Sequence, residues 1–274
     1  MKFDIGNLVE YKGKDLIIIA GAPGSRWSGI YGKLAQHPKV NTSDWNDAPG
    51  MKQELLSNGP SKLRYFDDKV WNKEIVSFTG HEISIANHFG TYWGPGMKYG
   101  NKFDNLHALS KEEVLNELMQ PFKNWDGIKV LRSHHWSYNL DYVLALFPEC
   151  KLVMCYGDSI DCFYWWQKCG GFGMTYPSYS WYKDDIRMMK KIKEENYHIL
   201  SFCQQKRVDI KLWNLKELFS ELEIPLTEDF SIKFSNFNPE NADIVLTSPL
   251  IGVYKNGVFR DSFYHHMINN KEKI

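Results

Sequence analysis

The chain has 274 residues, with 33 Lys plus Arg balanced by 33 Asp plus Glu, so no general attraction to nucleic acid or to an anionic membrane is expected and any anion site has to be local. The first fifteen residues carry no secretion-signal core and the longest apolar runs, LIIIAGA and YVLALF, are too short to span a bilayer, which predicts a soluble, cytoplasmic protein. Five cysteines, with Cys155, Cys162 and Cys169 seven apart and no paired C-x-x-C, predict buried structural thiols and no metal site.

The first element is "LIIIA" (16–20), a continuous apolar run bounded by Gly that reads as a strand covered on both faces. It enters "GAPGSRWSG", and a short helix is predicted over 28–36, with Ile30, Tyr31 and Leu34 on one side and the Pro of "QHPKV" as its stop. Residues 40–107 are Gly, Asn and Asp rich; "IVSFTG" (75–80) reads as a strand, "EISIANHF" (82–89) as a short helix and the rest as an irregular insertion of the kind that serves as a lid or binding element.

Periodicity returns at "SKEEVLNELMQPFKNW", where Ser110 and Glu113 form a capping box and Val114, Leu115, Leu118, Met119 and Phe122 share a helical face. Then follow a strand at 128–132 (IKVLR), a helix at 139–147, a strand at 151–155 (KLVMC) and a helix at 158–169 with Asp158 as N-cap and Asp161 in the capping-box position. A long helix over 180–206 is expected to face inward with Ile186, Met189, Ile192, Ile199 and Phe202. "VDIKLWNLKELFSEL" supplies a strand and a helix capped by Asn214 and Glu217, and "GVYKNGVFR" a hairpin turning at Asn256–Gly257. Strands separated by helices, with no linker or internal repeat, predict one α/β domain over 1–274 with a central, mostly parallel sheet.

A buried strand entering a Gly-containing loop that opens a helix gathers backbone N–H groups around one point, where the helix dipole adds positive charge. Gly24, Ser25, Arg26, Trp27, Ser28 and Gly29 are therefore the candidate oxyanion-binding residues. Counted from Gly21 against G-x-x-x-x-G-K-[ST], the chain has Arg26, Trp27 and Ser28 at the last three places. Losing the Lys argues against Mg²⁺-dependent NTP hydrolysis, so a kinase ranks third among the readings.

The loop resembles that of the sulfotransferases, whose motif runs roughly G-x-P-[KR]-S-G-T-T: Pro23 and Ser25 match, Ser28 stands for the second Thr, Gly24 sits at the basic place and Arg26 at the following Gly. "LAQHPKV" is similar to the family's helix ending in His-Pro. "VLRSHHW" resembles the strand-end [KR]-[TS]-H, which maps Arg132, Ser133 and His134 onto it and implies His134 as catalytic base, a role that suits a near-neutral imidazole at a strand's carboxyl end. "FPECKLVMCYGDSIDCFYWW" is similar to the segment whose Arg and Ser hold the 3′-phosphate of the donor. Phe147, Pro148, Lys151 and Asp161 fit, while Gly157 stands at the Arg place and Trp165 at the Ser place, leaving Tyr156, Lys168, Lys255 or Arg260 as substitutes.

The resemblance covers about 16–170 and implies a three-layer, P-loop-NTPase-like sandwich that moves a sulfuryl group from PAPS (3′-phosphoadenosine 5′-phosphosulfate) to a hydroxyl of a carbohydrate or small molecule, without metal. Arg26 and His134 are then the catalytic residues, Tyr156 and Trp165 belong with the loop to the donor site, and Trp93, Trp165 and Trp181 are candidates for ring stacking. The competing expectation is a non-catalytic anion- or nucleotide-binding protein of the same fold.

Overall fold

The computed structural model describes residues 11–34, 37, 39–40, 103–119, 122, 127–168, 184–225 and 250–255. Most of the predicted insertion, including "IVSFTG" and "EISIANHF", lies outside them, as does the Asn256–Gly257 turn.

Among the described residues five strands form one sheet: β1 Leu16–Gly21, β2 Lys129–Arg132, β3 Lys151–Tyr156, β4 Ile210–Lys211 and β5 Leu250–Tyr254. Their order is β2-β1-β3-β5-β4. β1 pairs in parallel with β2 and with β3, while β5 runs antiparallel between β3 and β4. The sheet is thus mixed but mostly parallel, and the chain is an α/β protein. A further parallel bridge, Val40 to Ile128, extends the β2 edge.

Among the described residues six α-helices flank the sheet: α1 Trp27–Leu34, α2 Lys111–Met119, α3 Leu140–Leu146, α4 Ser159–Lys168, α5 Asp185–Lys206 and α6 Leu215–Glu221. Alternation along β1 divides the core. Leu16, Ile18 and Ala20 pack with residues of α2, α3 and α5 on one face, and Ile17 and Ile19 with α1 and α6 on the other. All six β1 residues are buried, which is why the run is uniformly apolar. Each large aliphatic side chain so buried contributes about 1.5–3 kcal/mol relative to exposure.

The helix starts follow their caps. Ser110 and Glu113 close the reciprocal box, Glu113 N–H donating to Ser110 Oγ at 3.2 Å and Ser110 N–H to the Glu113 carboxylate at 2.9 Å. Asp158 accepts from the Ile160 N–H at 2.8 Å, Asp184 from Arg187 N–H at 2.8 Å and Asn214 from Glu217 N–H at 2.9 Å. α1 begins at Trp27, one residue before the predicted start.

α5 departs from its expected face. Ile186, predicted to point inward, is 83% exposed, and the buried stripe is Met188, Ile192, Glu195, Asn196, Ile199, Phe202 and Cys203. The inward face is rotated, and it takes a carboxylate and an amide into the core. No helix among the described residues is long and apolar enough to cross a membrane.

Candidate functional site

Between β1 and α1 the chain makes a tight turn and then a left-handed step. The Ser25 N–H donates to the Ala22 carbonyl at 3.0 Å. With Pro at the second position and Gly24 at φ 79° in the third, Ala22–Ser25 is a type II turn. Pro23 presets the first central dihedral and Gly24 supplies the second without a Cβ penalty. Gly24 also lies against α4, because a Cβ there would stand 1.8 Å from the Cys162 carbonyl oxygen.

Arg26 follows at φ 63°, a conformation that costs an L residue roughly 1 kcal/mol and persists where the surroundings require it. Its carbonyl accepts from the Ile30 N–H at 3.4 Å, so Arg26 is the N-cap of α1. The amides of Trp27, Ser28 and Gly29 are first-turn donors with no acceptor inside the helix, at the positive end of its dipole. Ser25 folds back over the end of β1: a Cβ on Gly21 would lie 2.5 Å from its Oγ. That hydroxyl is buried, with no hydrogen-bond partner among the described residues. Of the expected nest amides, that of Ser25 is engaged in the turn.

Two guanidinium groups flank the loop on aromatic faces. Arg26 lies 4.6 Å from the centroid of Trp165 on α4. Arg132, at the end of β2, is buried at 3% exposure and stacks 4.3 Å from the ring of Tyr31 and 5.6 Å from that of Trp27. A desolvated cation on a ring gains up to ~2 kcal/mol. Trp27, expected beside the anion, has its side chain in the core beneath Arg132 and against Gly21.

The strand register puts Ile19 opposite Arg132 and Gly21 opposite Cys155, so the loops after β1, β2 and β3 emerge side by side at the carboxyl edge of the sheet. The loop after β2 is a 3₁₀ turn, His134–Tyr138, which places the backbone of His134 immediately beyond the buried Ser133. The side chains of Ser28, His134, His135 and Lys168 lie outside the described residues, as do Trp93, Trp181 and Arg260.

At the junction of β3 and α4, burial and then the charge of Asp158 raise the Tyr156 phenol above its ordinary value. Gly157 and the capping Asp158 follow, and Trp165 lies on α4 under Arg26. Lys255 is elsewhere engaged, 3.8 Å from Glu221 and 3.5 Å from Glu223. The Cys162 thiol is pushed up to about 12 by burial, with the Asn196 amide and Arg26 pulling the other way.

Three site features escaped sequence reading. The left-handed Arg26 and the backfolded Ser25 have no local signature, because Arg and Ser rarely announce such geometry. Glu195 did leave a trace: it falls in register with Met188, Ile192, Ile199 and Phe202, although the Lys191–Glu195 spacing looks like an ordinary solvent-exposed ion pair. No family model, curated protein or solved structure matches the chain.

Proposed function

We propose that the chain is a sulfotransferase-like enzyme that binds the 5′-phosphosulfate end of PAPS in the loop between β1 and α1 and passes the sulfuryl group to a hydroxyl of a carbohydrate or small molecule. The observation that carries this reading is the left-handed Arg26 cap set beside the buried Ser25 hydroxyl, which has no hydrogen-bond partner among the described residues. Backbone strain at a helix N-terminus that also gathers a hydroxyl, a guanidinium and first-turn amides suits an oxyanion ester.

In the proposed step His134 takes the acceptor's proton, the acceptor oxygen bonds to sulfur, and the sulfur–oxygen bond to the 5′-phosphate breaks to release 3′,5′-ADP. Arg26 and the first-turn amides offset charge on the departing phosphate. The three-layer, P-loop-like arrangement belongs to the same proposal, as does a cytoplasmic location.

A second reading has its own observation. The N-terminus of α4 is capped by the chain's own Asp158, beside Gly157, and Trp165 is stacked under Arg26. That surrounding suits a protein that holds an oxyanion without a 3′-phosphate clamp and performs no transfer.

Thermal unfolding of the full chain with 3′,5′-ADP, with sodium sulfate and with ATP plus Mg²⁺ separates them. Ligand at a hundred times its Kd adds ~2.7 kcal/mol, a rise of roughly 5–10 °C at this size. A shift with 3′,5′-ADP that Arg26→Ala abolishes supports the transferase. A shift with sulfate alone supports the second reading, and no shift with either anion removes both.

A further inference from the structure

α5 is 22 residues long and buries two polar side chains in its middle, Glu195 at 0% exposure and Asn196 at 3%. Burying a carboxylate is costly unless other groups compensate it, so its position asks for a reason. The two neighbours reach different loops. The Asn196 amide donates to the Gly157 carbonyl at 2.9 Å and to Ser159 Oγ at 3.1 Å, both in the junction after β3. Glu195 pairs with Lys191 at 3.3 Å, and the Lys191 ammonium sits 4.0 Å from the ring centroid of Tyr138, the last residue of the turn that begins with His134. The Tyr138 phenol is held protonated well above its usual range by burial first and then by the charges of Glu195 and Glu194. One turn and two turns earlier, Ile192 and Met188 pack with Ala22 of the loop after β1 and with Cys162 and Trp166 of α4.

A single helix therefore touches the loops that follow three adjacent parallel strands. We propose that Glu195 and Asn196 are positioning residues: Glu195 sets the His134–Tyr138 turn and Asn196 the Gly157–Ser159 junction, so that both face the Ala22–Arg26 loop in one fixed geometry. The inference rests on the sulfuryl-transfer reading for what the loops hold, and on the α5 contacts alone for how they are held. Neither residue is assigned contact with a ligand.

The test is amide hydrogen exchange by mass spectrometry on the full chain and its Glu195→Gln and Asn196→Leu variants, with 3′,5′-ADP affinity measured well below their melting temperatures. Losing one such bond is worth about a factor of ten. Glu195→Gln should speed exchange about tenfold over 133–138 and spare 157–161; Asn196→Leu should do the reverse; 111–119, on α2, should be unchanged in both. Each variant should weaken 3′,5′-ADP about tenfold. Tyr138→Leu removes the ring on which the Lys191 ammonium sits while leaving α5 intact, and should reproduce the Glu195→Gln pattern. Unchanged exchange in both loops, or acceleration that extends equally to 111–119, overturns the assignment. If the exchange pattern appears while the wild type binds no 3′,5′-ADP, positioning stands and the sulfuryl-transfer reading falls. If the wild type binds 3′,5′-ADP and both variants bind it equally well, the transfer reading survives and positioning falls.

Discussion

Replacing Gly24 by Ala tests whether the turn after β1 is locked against α4. At φ 79° an L residue costs roughly 1 kcal/mol. The added methyl would also stand 1.8 Å from the Cys162 carbonyl oxygen and 2.6 Å from its carbonyl carbon. Those atoms are helix backbone and cannot rotate aside, so loop and helix must separate, at an overpacking cost of about 1–3 kcal/mol. The total, roughly 3 kcal/mol, corresponds to a fall in Tm of about 6–12 °C. Gly157→Ala is the control. Its methyl would meet only the Cys162 thiol, at 2.9 Å, a side-chain end that can yield, and the expected cost is below about 1 kcal/mol. Melts followed by far-UV circular dichroism decide the matter. A Gly24→Ala protein melting within about 2 °C of wild type, or a Gly157→Ala protein equally damaged, would refute the locked-turn argument.

At the opposite edge of the sheet the ammonium of Lys129, 1% exposed, is held by Asp15, which is itself 35% exposed and also accepts from the Tyr11 hydroxyl. Asp15→Asn should cost about 2–3 kcal/mol in urea unfolding, the low end for a buried pair because Asp15 keeps part of its hydration, and adding Lys129→Met should recover most of it. Arg132→Lys keeps the charge but loses the flat guanidinium that lies on Tyr31 and Trp27; a loss of about 1–2 kcal/mol is expected in the same assay. Cys150, Cys162 and Cys203 keep their protons to about 12 because of burial, while an unfolded thiol titrates near 9.0. Between those values the folded chain holds more protons than the unfolded one. Stability is therefore full below pH 9 and falls by about 1.4 kcal/mol per thiol per pH unit above it. Urea midpoints between pH 8 and 11 check this, and a flat profile would show that the thiols are not kept dry.

The elements with local causes were readable from the chain. β1 was readable because both its faces are covered, and α2 because Ser110 and Glu113 close a box that needs no distant partner. The oxyanion loop was legible as a strand, a Gly-Pro turn and a helix, but its working geometry was not. The dihedral of Arg26 depends on how α1 leaves the loop, and the stacking of Arg26 on Trp165 joins residues far apart in the chain. α5 shows the limit of hydrophobic periodicity most clearly. Choosing Ile186 over Met188 rotated the helix, and Glu195 and Asn196 were not among the residues expected to face inward, since polarity ordinarily goes with exposure. What holds Asn196 inward is the Gly157 carbonyl and the Ser159 hydroxyl after β3, which no window along the helix contains.

The place of β5 has a consequence for how the chain acquires its structure during synthesis. Met154 lies beside Gly252, and Ile210 beside the same glycine, so the last of the described strands fills the gap between two made much earlier. Until residue 254 has left the ribosome, β3 offers an unsatisfied hydrogen-bonding edge and β4 has no sheet to join. A released chain truncated after residue 249 should consequently bind chaperones, and one that extends through residue 255 should bind them less.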